Sequence, residues 1–310
     1  MTATRSITVL GVFVADTTYR ADRPPRMGET VLGNSFALGP GGKGSNQAVA
    51  AARLGADVTM VTRLGDDAFA DMADRIWSDT GVKQAVVRDP ESYTGAAYIF
   101  VEEASGDNAI IVCPGAAGDI DVALVEQNSD LITRSSVFMT QLEQPVLAAR
   151  RALEIAHGAN VLTILNPAPA AALDDALFAL CDYVTPNETE AAELTGLPVT
   201  TIDEARCAGD ALLAKGAKSA VITLGEQGAL LHTRGLSEHI NSFDAGPVIE
   251  TTGAGDAFNG GLATGLAEAL NPLEAVRLGC ATAGISITRP GTASSMPSRE
   301  EVDRAVARAQ

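Results

Sequence analysis

Apolar and polar residues follow two different patterns along this chain. From residue 137 onward, short apolar runs alternate with stretches of helical periodicity. Such an alternation is typical of a parallel sheet covered by helices on both faces. The apolar runs predict strands over residues 137–141, 161–166, 183–185 and 220–224. The periodic stretches predict helices over residues 145–157, 188–194, 202–215, 257–270, 272–288 and 299–309.

Two stretches nearer the N-terminus have a weaker, alternating pattern. Residues 15–38 and 93–113 contain segments in which one face is apolar and the other polar, which indicates strands with one wet face. Within the second stretch, residues 96–102 and 108–113 flank Ser105-Gly106-Asp107, a combination that predicts a β-hairpin. These stretches do not fit the parallel sheet. They predict a small antiparallel β lid inserted into it.

The most informative motif is the glycine-rich segment at residues 251–261. Gly253 and Gly255 carry no side chain, so the backbone can turn tightly and expose its N–H groups. The helix predicted to follow directs the positive end of its dipole at this turn, and Asp256 places a carboxylate beside it. An anion site next to a single carboxylate suits phosphoryl transfer to an alcohol. The alternative is a plain strand-to-helix turn with Asp256 as a first-turn charge.

A second glycine cluster covers residues 39–44 and leads into an Ala-rich helix predicted at residues 46–54, with Ser45 as its N-cap. The cluster matches the dinucleotide-binding pattern G-x-G-x-x-G, but Pro40 lies inside it and the preceding segment is only weakly apolar. A P-loop is excluded because Gly44 follows Lys43 where Ser or Thr should bind Mg²⁺. Two readings remain: a tight turn, or a polar pocket for a polyhydroxy ligand. The pocket residues would be Gly41, Gly42, Lys43 and Asn46.

Polar residues also stand where predicted strands end, the position at which open α/β sheets bind ligands. Asn187 and Glu190 open a predicted helix and share one of its faces, so Glu190 could hold Mg²⁺ through water or could simply cap the helix. Thr223 and Gly225 end another strand, and Glu143 follows a third.

Composition narrows the class of protein. The formal net charge of −17 over 310 residues, with no run of basic residues, argues against a nucleic-acid partner. No apolar run reaches membrane-spanning length and no N-terminal signal pattern is present, so we expect a cytoplasmic protein without a membrane partner. The cysteines and histidines show no zinc-binding spacing.

Four separated motifs, taken together, resemble the ribokinase branch of the PfkB carbohydrate kinase family. They are Gly41-Gly-Lys-Gly-Ser-Asn-Gln-Ala, Asn166-Pro-Ala-Pro, Thr185-Pro-Asn-Glu-Thr-Glu and Thr252-Gly-Ala-Gly-Asp. The resemblance covers essentially the whole chain. It implies one kinase domain over residues 1–310, built as a Rossmann-like α/β/α sandwich with a β lid, through which such enzymes commonly form homodimers.

The resemblance also implies an activity and a set of roles. It implies that the γ-phosphoryl group of ATP is transferred to a hydroxyl of a pentose, ribose first, with Mg²⁺ and a monovalent cation such as K⁺. Asp256 resembles the catalytic base, and Gly253, Ala254 and Gly255 resemble the anion hole. The sugar contacts would be Asp16, Gly42, Lys43, Asn46 and Glu143. The nucleotide and Mg²⁺ contacts would be Asn187, Glu190, Thr223, Gly225 and Gly228. The K⁺ site would be Glu250, Thr252, Ser286, Arg289, Gly291 and Ser295.

Two positions depart from the family pattern. Val14 stands where the pattern has Asn two residues before Asp16, so one hydroxyl contact is missing and discrimination at that hydroxyl weakens. Glu250 stands where Asp is usual, which changes the geometry of the K⁺ site. Deoxyribose, a ketohexose or a nucleoside therefore remain alternative substrates. A non-catalytic sugar or nucleotide sensor on the same fold is the alternative from another class.

Overall fold

In the computed structural model, which describes residues 6–309, the apolar runs form one sheet of nine strands. All neighbours from β11 to β5 pair in parallel, whereas β12 and β13 add to the edge in antiparallel fashion. The parallel part was predicted, and the hairpin of β12 and β13 was not. In spatial order the strands are β13 (Ser237–Ile240), β12 (Ala229–Thr233), β11 (Ser219–Thr223), β10 (Tyr183–Val184), β9 (Leu162–Leu165), β8 (Val137–Thr140), β1 (Ser6–Leu10), β4 (Asp57–Leu64) and β5 (Lys83–Arg88).

Helices cover both faces of this sheet. Val9 and Leu10, neighbours on β1, point to opposite faces and belong to two separate apolar clusters. The first cluster includes buried residues of α1, α9 and α10, and the second includes those of α5 and α8. The helices are α1 (Lys43–Arg53), α2 (Ala68–Thr80), α3 (Val122–Gln127), α4 (Ser129–Thr133), α5 (Val146–Gly158), α6 (Asp175–Phe178), α7 (Glu188–Thr195), α8 (Ile202–Ala214), α9 (Ala254–Ala267), α10 (Pro272–Ser286) and α11 (Arg299–Ala309). The predicted α/β/α sandwich is therefore confirmed.

A second sheet of four strands forms the lid, in the order β3 (Ser35–Gly41), β2 (Val14–Ala21), β6 (Thr94–Glu102) and β7 (Asn108–Gly115). The outer pairs are antiparallel, but β2 and β6 pair in parallel, so the prediction of an antiparallel lid was wrong at its centre. The reason lies in the large sheet. Strands β1 and β5 run in the same direction, and each is followed after a short connection by a lid strand. The two lid strands therefore also run in the same direction.

The ends of two helices, α2 and α1, show how far local signals decide where a helix begins and ends. Helix α2 begins after Asp67, whose side chain accepts hydrogen bonds from two first-turn N–H groups, and ends at Gly81 with φ of 80°. Helix α1 begins at Lys43 rather than after Ser45, so the prediction of Ser45 as N-cap was wrong. Ser45 lies inside the helix, where its Oγ accepts a hydrogen bond of 3.0 Å from Trp77 Nε1. Within residues 6–309, no helix combines the length and apolar character needed to cross a membrane.

Candidate active site

The carboxyl ends of β9, β10 and β11 meet the N-terminus of α9 around a cavity of about 150 Å³. This edge of the sheet is where open α/β folds bind ligands. The cavity collects residues from all the motifs that the sequence singled out. Its lining residues are Lys43, Asn166, Ala168, Thr185, Asn187, Glu190, Thr223, Gly253, Gly255, Asp256 and Asn259.

The N-terminus of α9 is free of side-chain caps. Gly253 is its N-cap, with φ of 82°, and makes no side-chain cap hydrogen bond. A Cβ added at Gly255 would meet no atom within 4 Å, so the backbone there borders open space. First-turn N–H groups have no acceptor within their own helix, which makes this end a site for an anion. The Ala254 N–H instead donates to Thr251 O at 3.1 Å, and Ala254 does not line the cavity.

Asp256 lies in the first turn of α9 and is 7% exposed. Its Oδ2 accepts a hydrogen bond of 2.9 Å from Asn46 Nδ2, and its Oδ1 accepts one of 3.0 Å from Gln47 Nε2. Burial raises the pKa of Asp256 above its usual range, while Lys43 and the two amide donors act in the opposite direction. The result is a desolvated carboxylate that is held in place and has a proton affinity above that of a surface aspartate.

The predicted sugar-side residues surround Asp256 from three elements. Glu143, which follows β8, accepts a hydrogen bond of 2.8 Å from the backbone N–H of Lys43 and so caps α1 from another part of the chain. Gly42 has φ of 86°, and a Cβ there would lie 2.6 Å from Val12 O. Asp16 Oδ2 lies 3.5 Å from Thr292 Oγ1. Strand β2 of the lid, the turn at Gly42 and the segment that follows β8 thus meet at one polar site.

This site concentrates acidic groups. Burial, with the nearby charge of Asp256, raises the pKa of Asp16 to about 7. Burial raises the pKa of Glu143 to about 7 as well, against the opposing effect of Lys43. For Lys43 itself burial alone would lower the pKa, but the surrounding carboxylates, Asp256 first, raise it overall. Hydroxyl donors from a polyol would stabilise the ionised carboxylates that burial disfavours.

Asp16→Asn is expected to stabilise the ligand-free protein at pH 8 by about 1–2 kcal/mol, after allowance for solvent that reaches the group. The pKa of Asp16 rises on folding from 3.8 to about 7. Between these two pH values the folded chain holds a proton that the unfolded chain releases, so the free energy of unfolding falls as pH rises. The gain should therefore shrink toward zero near pH 4. Thermal unfolding at both pH values, with exposed Asp22→Asn as control, tests this; an equal gain at both would contradict it.

On the side predicted to bind the nucleotide, Asn187 and Glu190 form a reciprocal capping box at the start of α7. Asn187 Oδ1 accepts from Glu190 N–H at 2.8 Å, and Glu190 Oε2 accepts from Asn187 N–H at 2.9 Å. Both residues also line the cavity, so capping and ligand binding are compatible. Burial raises the pKa of Glu190. A carboxylate at the cavity edge is the type of oxygen ligand that Mg²⁺ takes directly or through water.

Thr223, Gly225 and Gly228 continue this side of the site. The backbone N–H of Thr223 donates to Pro186 O at 3.0 Å, which places the end of β11 against the start of α7. Gly225 and Gly228, with φ of 51° and 96°, bound the tight turn that follows and lie outside the cavity lining. Only glycine fits at position 228, since a Cβ there would overlap the backbone of Ile240 and Ser242.

The six residues predicted to bind K⁺ lie on two adjacent segments. Glu250 N–H donates to Ile287 O at 3.1 Å, and Glu250 Oε2 accepts from Gly291 N–H at 2.9 Å. The hydroxyls of Ser286 and Ser295 donate to Ala283 O and Thr292 O, and Arg289 pairs with Glu301 on α11. Thr252 directly precedes Gly253. The K⁺ assignment stays a prediction.

Four polar residues of the site were given no role from the sequence alone. They are Gln47, Asn166, Thr185 and Asn259, and three of them line the cavity. Asn166 and Thr185 were visible as polar residues at the ends of predicted strands. Gln47 and Asn259 lie inside helices and gave no comparable signal.

Comparison with known proteins places this geometry in a family. Residues 4–299 match the pfkB family of carbohydrate kinases. Ribokinase from Haemophilus influenzae is 38% identical over 298 residues, which covers 96% of this chain and 97% of that protein. Deoxyribokinase from Salmonella typhi is 36% identical over 297 residues, which covers 95% and 96%. Ribokinase from Arabidopsis thaliana, solved in complex with ribose and ATP, superposes with a TM-score of 0.89 at 27% identity over 97% of this chain and 98% of that one.

The match spans the lid, the glycine turn of α1 and the N-terminus of α9. The chain therefore belongs to the pfkB family of carbohydrate kinases and is a sugar phosphotransferase.

Proposed function

We propose that this protein is an ATP-dependent kinase of ribose in which Asp256 is the general base. One observation carries the proposal: a buried carboxylate, held by Asn46 and Gln47, in the first turn of a helix whose N-terminus bears no side-chain cap. This arrangement suits the acceptance of a hydroxyl proton beside a bound phosphoryl group. The similarity to ribokinases supports ribose and ATP as the substrates.

The reaction needs little covalent chemistry from the protein. In a loose transition state, catalysis rests on positioning and on charge stabilisation. Asp16, Lys43, Asn46, Glu143 and the Gly42 turn would bind the sugar hydroxyls. Asp256 accepts the proton of the attacking hydroxyl as the new P–O bond forms. Backbone N–H groups at Gly253 and Gly255 stabilise the charge on the transferred group. The third anion-hole candidate, Ala254, would have to release Thr251 O before it could contribute.

The nucleotide would lie on the side of Asn187, Thr223, Gly225 and Gly228, with its γ-phosphate at the α9 N-terminus. Mg²⁺ bound beside Glu190 would neutralise part of the phosphate charge. Without it, the net negative charge of this protein would repel the nucleotide. A monovalent cation between the Glu250 and Gly291 segments would support the backbone that leads into the anion hole. These roles are carried over from the family resemblance. Asn187, Glu190 and Thr223 line the cavity, whereas Gly225 and Gly228 lie outside its lining.

The lid sheet would close over the sugar and exclude water. We also propose that it is the surface through which two copies of the chain associate. Large apolar side chains are exposed on its strands, a pattern typical of interaction surfaces. They are Tyr19, Phe36, Leu38, Ile110, Ile111 and Val112.

Deoxyribose is a second candidate substrate because of one specific residue. Val14 is 3% exposed and shares a face of β2 with Asp16, two residues away. Its side chain packs against Gly95 and offers no hydrogen bond to a ligand. A site without a partner for one hydroxyl discriminates weakly against a sugar that lacks it. The similarity to a deoxyribokinase is consistent with this alternative.

Val14→Asn is expected to raise the preference for ribose over deoxyribose, measured as the ratio of kcat/KM values, by about tenfold, because it adds one polar partner for a hydroxyl. The ratio of the kcat/KM values for two substrates, measured on the same variant, does not change when part of the protein is unfolded. Val14→Ala, which changes size without adding a donor or acceptor, is the matched control. Equal ratios in the wild type and Val14→Asn would remove Val14 from the account of specificity.

A coupled assay of ADP release with ATP, Mg²⁺ and single sugars tests the proposal. The panel should contain ribose, deoxyribose, ketohexoses and nucleosides, each with and without K⁺. We expect the highest kcat/KM with ribose, followed by deoxyribose. Binding of a sugar or of ATP without ADP release from any member of the panel would contradict an enzymatic role and favour a sensor.

A further inference from the structure

A set of buried amides lies behind Asp256, outside the residues to which the family resemblance assigns roles. Gln47 is fully buried, and its Nε2 donates to Asp256 Oδ1 and to Asn166 Oδ1, each at 3.0 Å. Its Oε1 accepts a hydrogen bond of 2.6 Å from Gln141 Nε2. Both ends of the Gln47 amide are therefore engaged, and a flipped amide would break all three hydrogen bonds.

The hydrogen bonds continue from Asn166 and return to the helix that carries Asp256. Asn166 Nδ2 donates to Thr185 O at 2.9 Å, and Thr185 Oγ1 donates to Asn259 Oδ1 at 2.6 Å. Asn259 Nδ2 then donates to Gly255 O at 2.8 Å. The path begins at the carboxylate of Asp256 and ends at the backbone of the residue before it. Such closed buried networks rigidify the groups they join.

We infer that Gln47 is a positioning residue that fixes the carboxylate of Asp256 relative to the backbone N–H groups at the start of α9. The inference rests on the proposed function, because it assigns Gln47 a part in the same phosphoryl transfer. Asn46 holds the other carboxylate oxygen from the adjacent position of α1. Asn46 and Gln47 each donate to one oxygen of the Asp256 carboxylate, so the two hydrogen bonds together fix its orientation toward the cavity. A displacement of about 1 Å in such a site can cost about 10²-fold in rate.

Loss of the Gln47 amide should have a signature that general destabilisation lacks. Without Gln47, only one amide would donate a hydrogen bond to the ionised form of Asp256, so the proton affinity of Asp256 should rise. The acidic limb of the kcat profile should then move upward by up to about one pH unit. Other charged groups face Asp256 from several elements: Asp16, Lys43, Glu143 and Glu190. Measuring kcat at saturating sugar and ATP limits the contribution of those that act through sugar binding.

Gln47→Met, which retains the length of the side chain and removes both polar ends, is the decisive variant. We expect kcat to fall by about 10–100-fold, KM for the sugar to stay within about threefold, and the acidic limb to shift upward. Gln141→Met removes only the donor that orients Gln47 and should show a smaller change in the same direction. Ser45→Ala is the control, because Ser45 lies in the same turn of α1 but bonds Trp77. It should leave kcat and the pH profile unchanged.

The emission of Trp77, the single tryptophan, reports whether Gln47→Met and Gln141→Met keep the native packing of α1. Ser45→Ala removes the hydrogen bond to this indole, so circular dichroism and thermal unfolding report on its folding instead. A folded Gln47→Met with wild-type kcat and an unmoved acidic limb would overturn the inference. An equal loss of kcat in Ser45→Ala without a pH shift would also overturn it. If Gln47→Met does not fold, wild-type behaviour of Gln141→Met overturns it instead.

Failure of the proposed function would look different, since the wild type itself would then release no ADP with any sugar. In that case a crystal structure of ligand-free Gln47→Met decides the question. A displaced or doubly oriented Asp256 carboxylate supports the positioning role, and an unmoved carboxylate overturns it.

Discussion

Asp256→Asn is expected to lower kcat by about 10²–10⁴-fold, the usual cost of losing a general base. The KM for the sugar should change by no more than a few fold, because the amide occupies the same volume and can still contact a hydroxyl. The substitution also removes a buried charge whose pKa burial raises. We therefore expect the folded protein to be as stable as the wild type or more stable, so that the loss of rate cannot be attributed to unfolding.

The measurement is steady-state ADP release over a range of sugar concentrations, together with thermal unfolding. Asp71→Asn is a matched control, because Asp71 also lies in the first turn of a helix, α2, but is exposed to solvent. It should retain wild-type kcat. A kcat within about threefold of the wild type in Asp256→Asn would be far smaller than the loss of a general base and would remove Asp256 from that role.

Gly228→Ala is expected to destabilise the protein by about 2–4 kcal/mol and to raise KM for ATP at least about tenfold. Gly228 has φ of 96°, and an added Cβ would overlap backbone atoms of Ile240 and Ser242, which cannot rotate away as a side chain could. The same glycine closes the turn after β11, where its carbonyl accepts from Leu224 N–H at 2.8 Å. Opening that turn would displace Thr223 and Gly225, which we propose as nucleotide contacts.

Gly235→Ala, at the other end of the β12 strand, provides the matched control for this prediction. A Cβ there would meet no atom within 4 Å. Its free energy of unfolding and KM for ATP should stay near wild type. If the two variants have the same stability and the same KM for ATP, the Gly228 turn is neither strained by a side chain nor part of nucleotide binding.

Local signals in the sequence were sufficient to predict the end of a helix wherever the capping group lies within one turn of that end. The helical pattern of residues 67–80 and its end at Gly81 can be read from the sequence, because a side-chain cap and a left-handed glycine act on the nearest backbone groups. The start of α1 was misplaced at Ser45 because the carboxylate that caps its first N–H belongs to Glu143, 100 positions away. A residue that caps from such a distance leaves no local pattern.

Strand direction in the lid was misjudged for a related reason. The hairpin of β6 and β7 could be read from its own alternation, but the parallel contact of β2 with β6 follows from the directions of β1 and β5 in the other sheet. In the same way, the amide network joins Gln47, Asn166 and Asn259 only after the sheet has brought their elements together. The glycine motifs and strand-end residues contain most of the residues that the structure brings together around the cavity, whereas the contacts between them needed the structure.

A crystal structure with ribose and a non-hydrolysable ATP analogue tests the central claim most directly. The account predicts that oxygens of the terminal phosphate lie about 3 Å from backbone nitrogens near Gly255, and that one sugar hydroxyl lies about 3 Å from the Asp256 carboxylate. A terminal phosphorus remote from the α9 N-terminus, or an Asp256 side chain that contacts neither ligand, would contradict it.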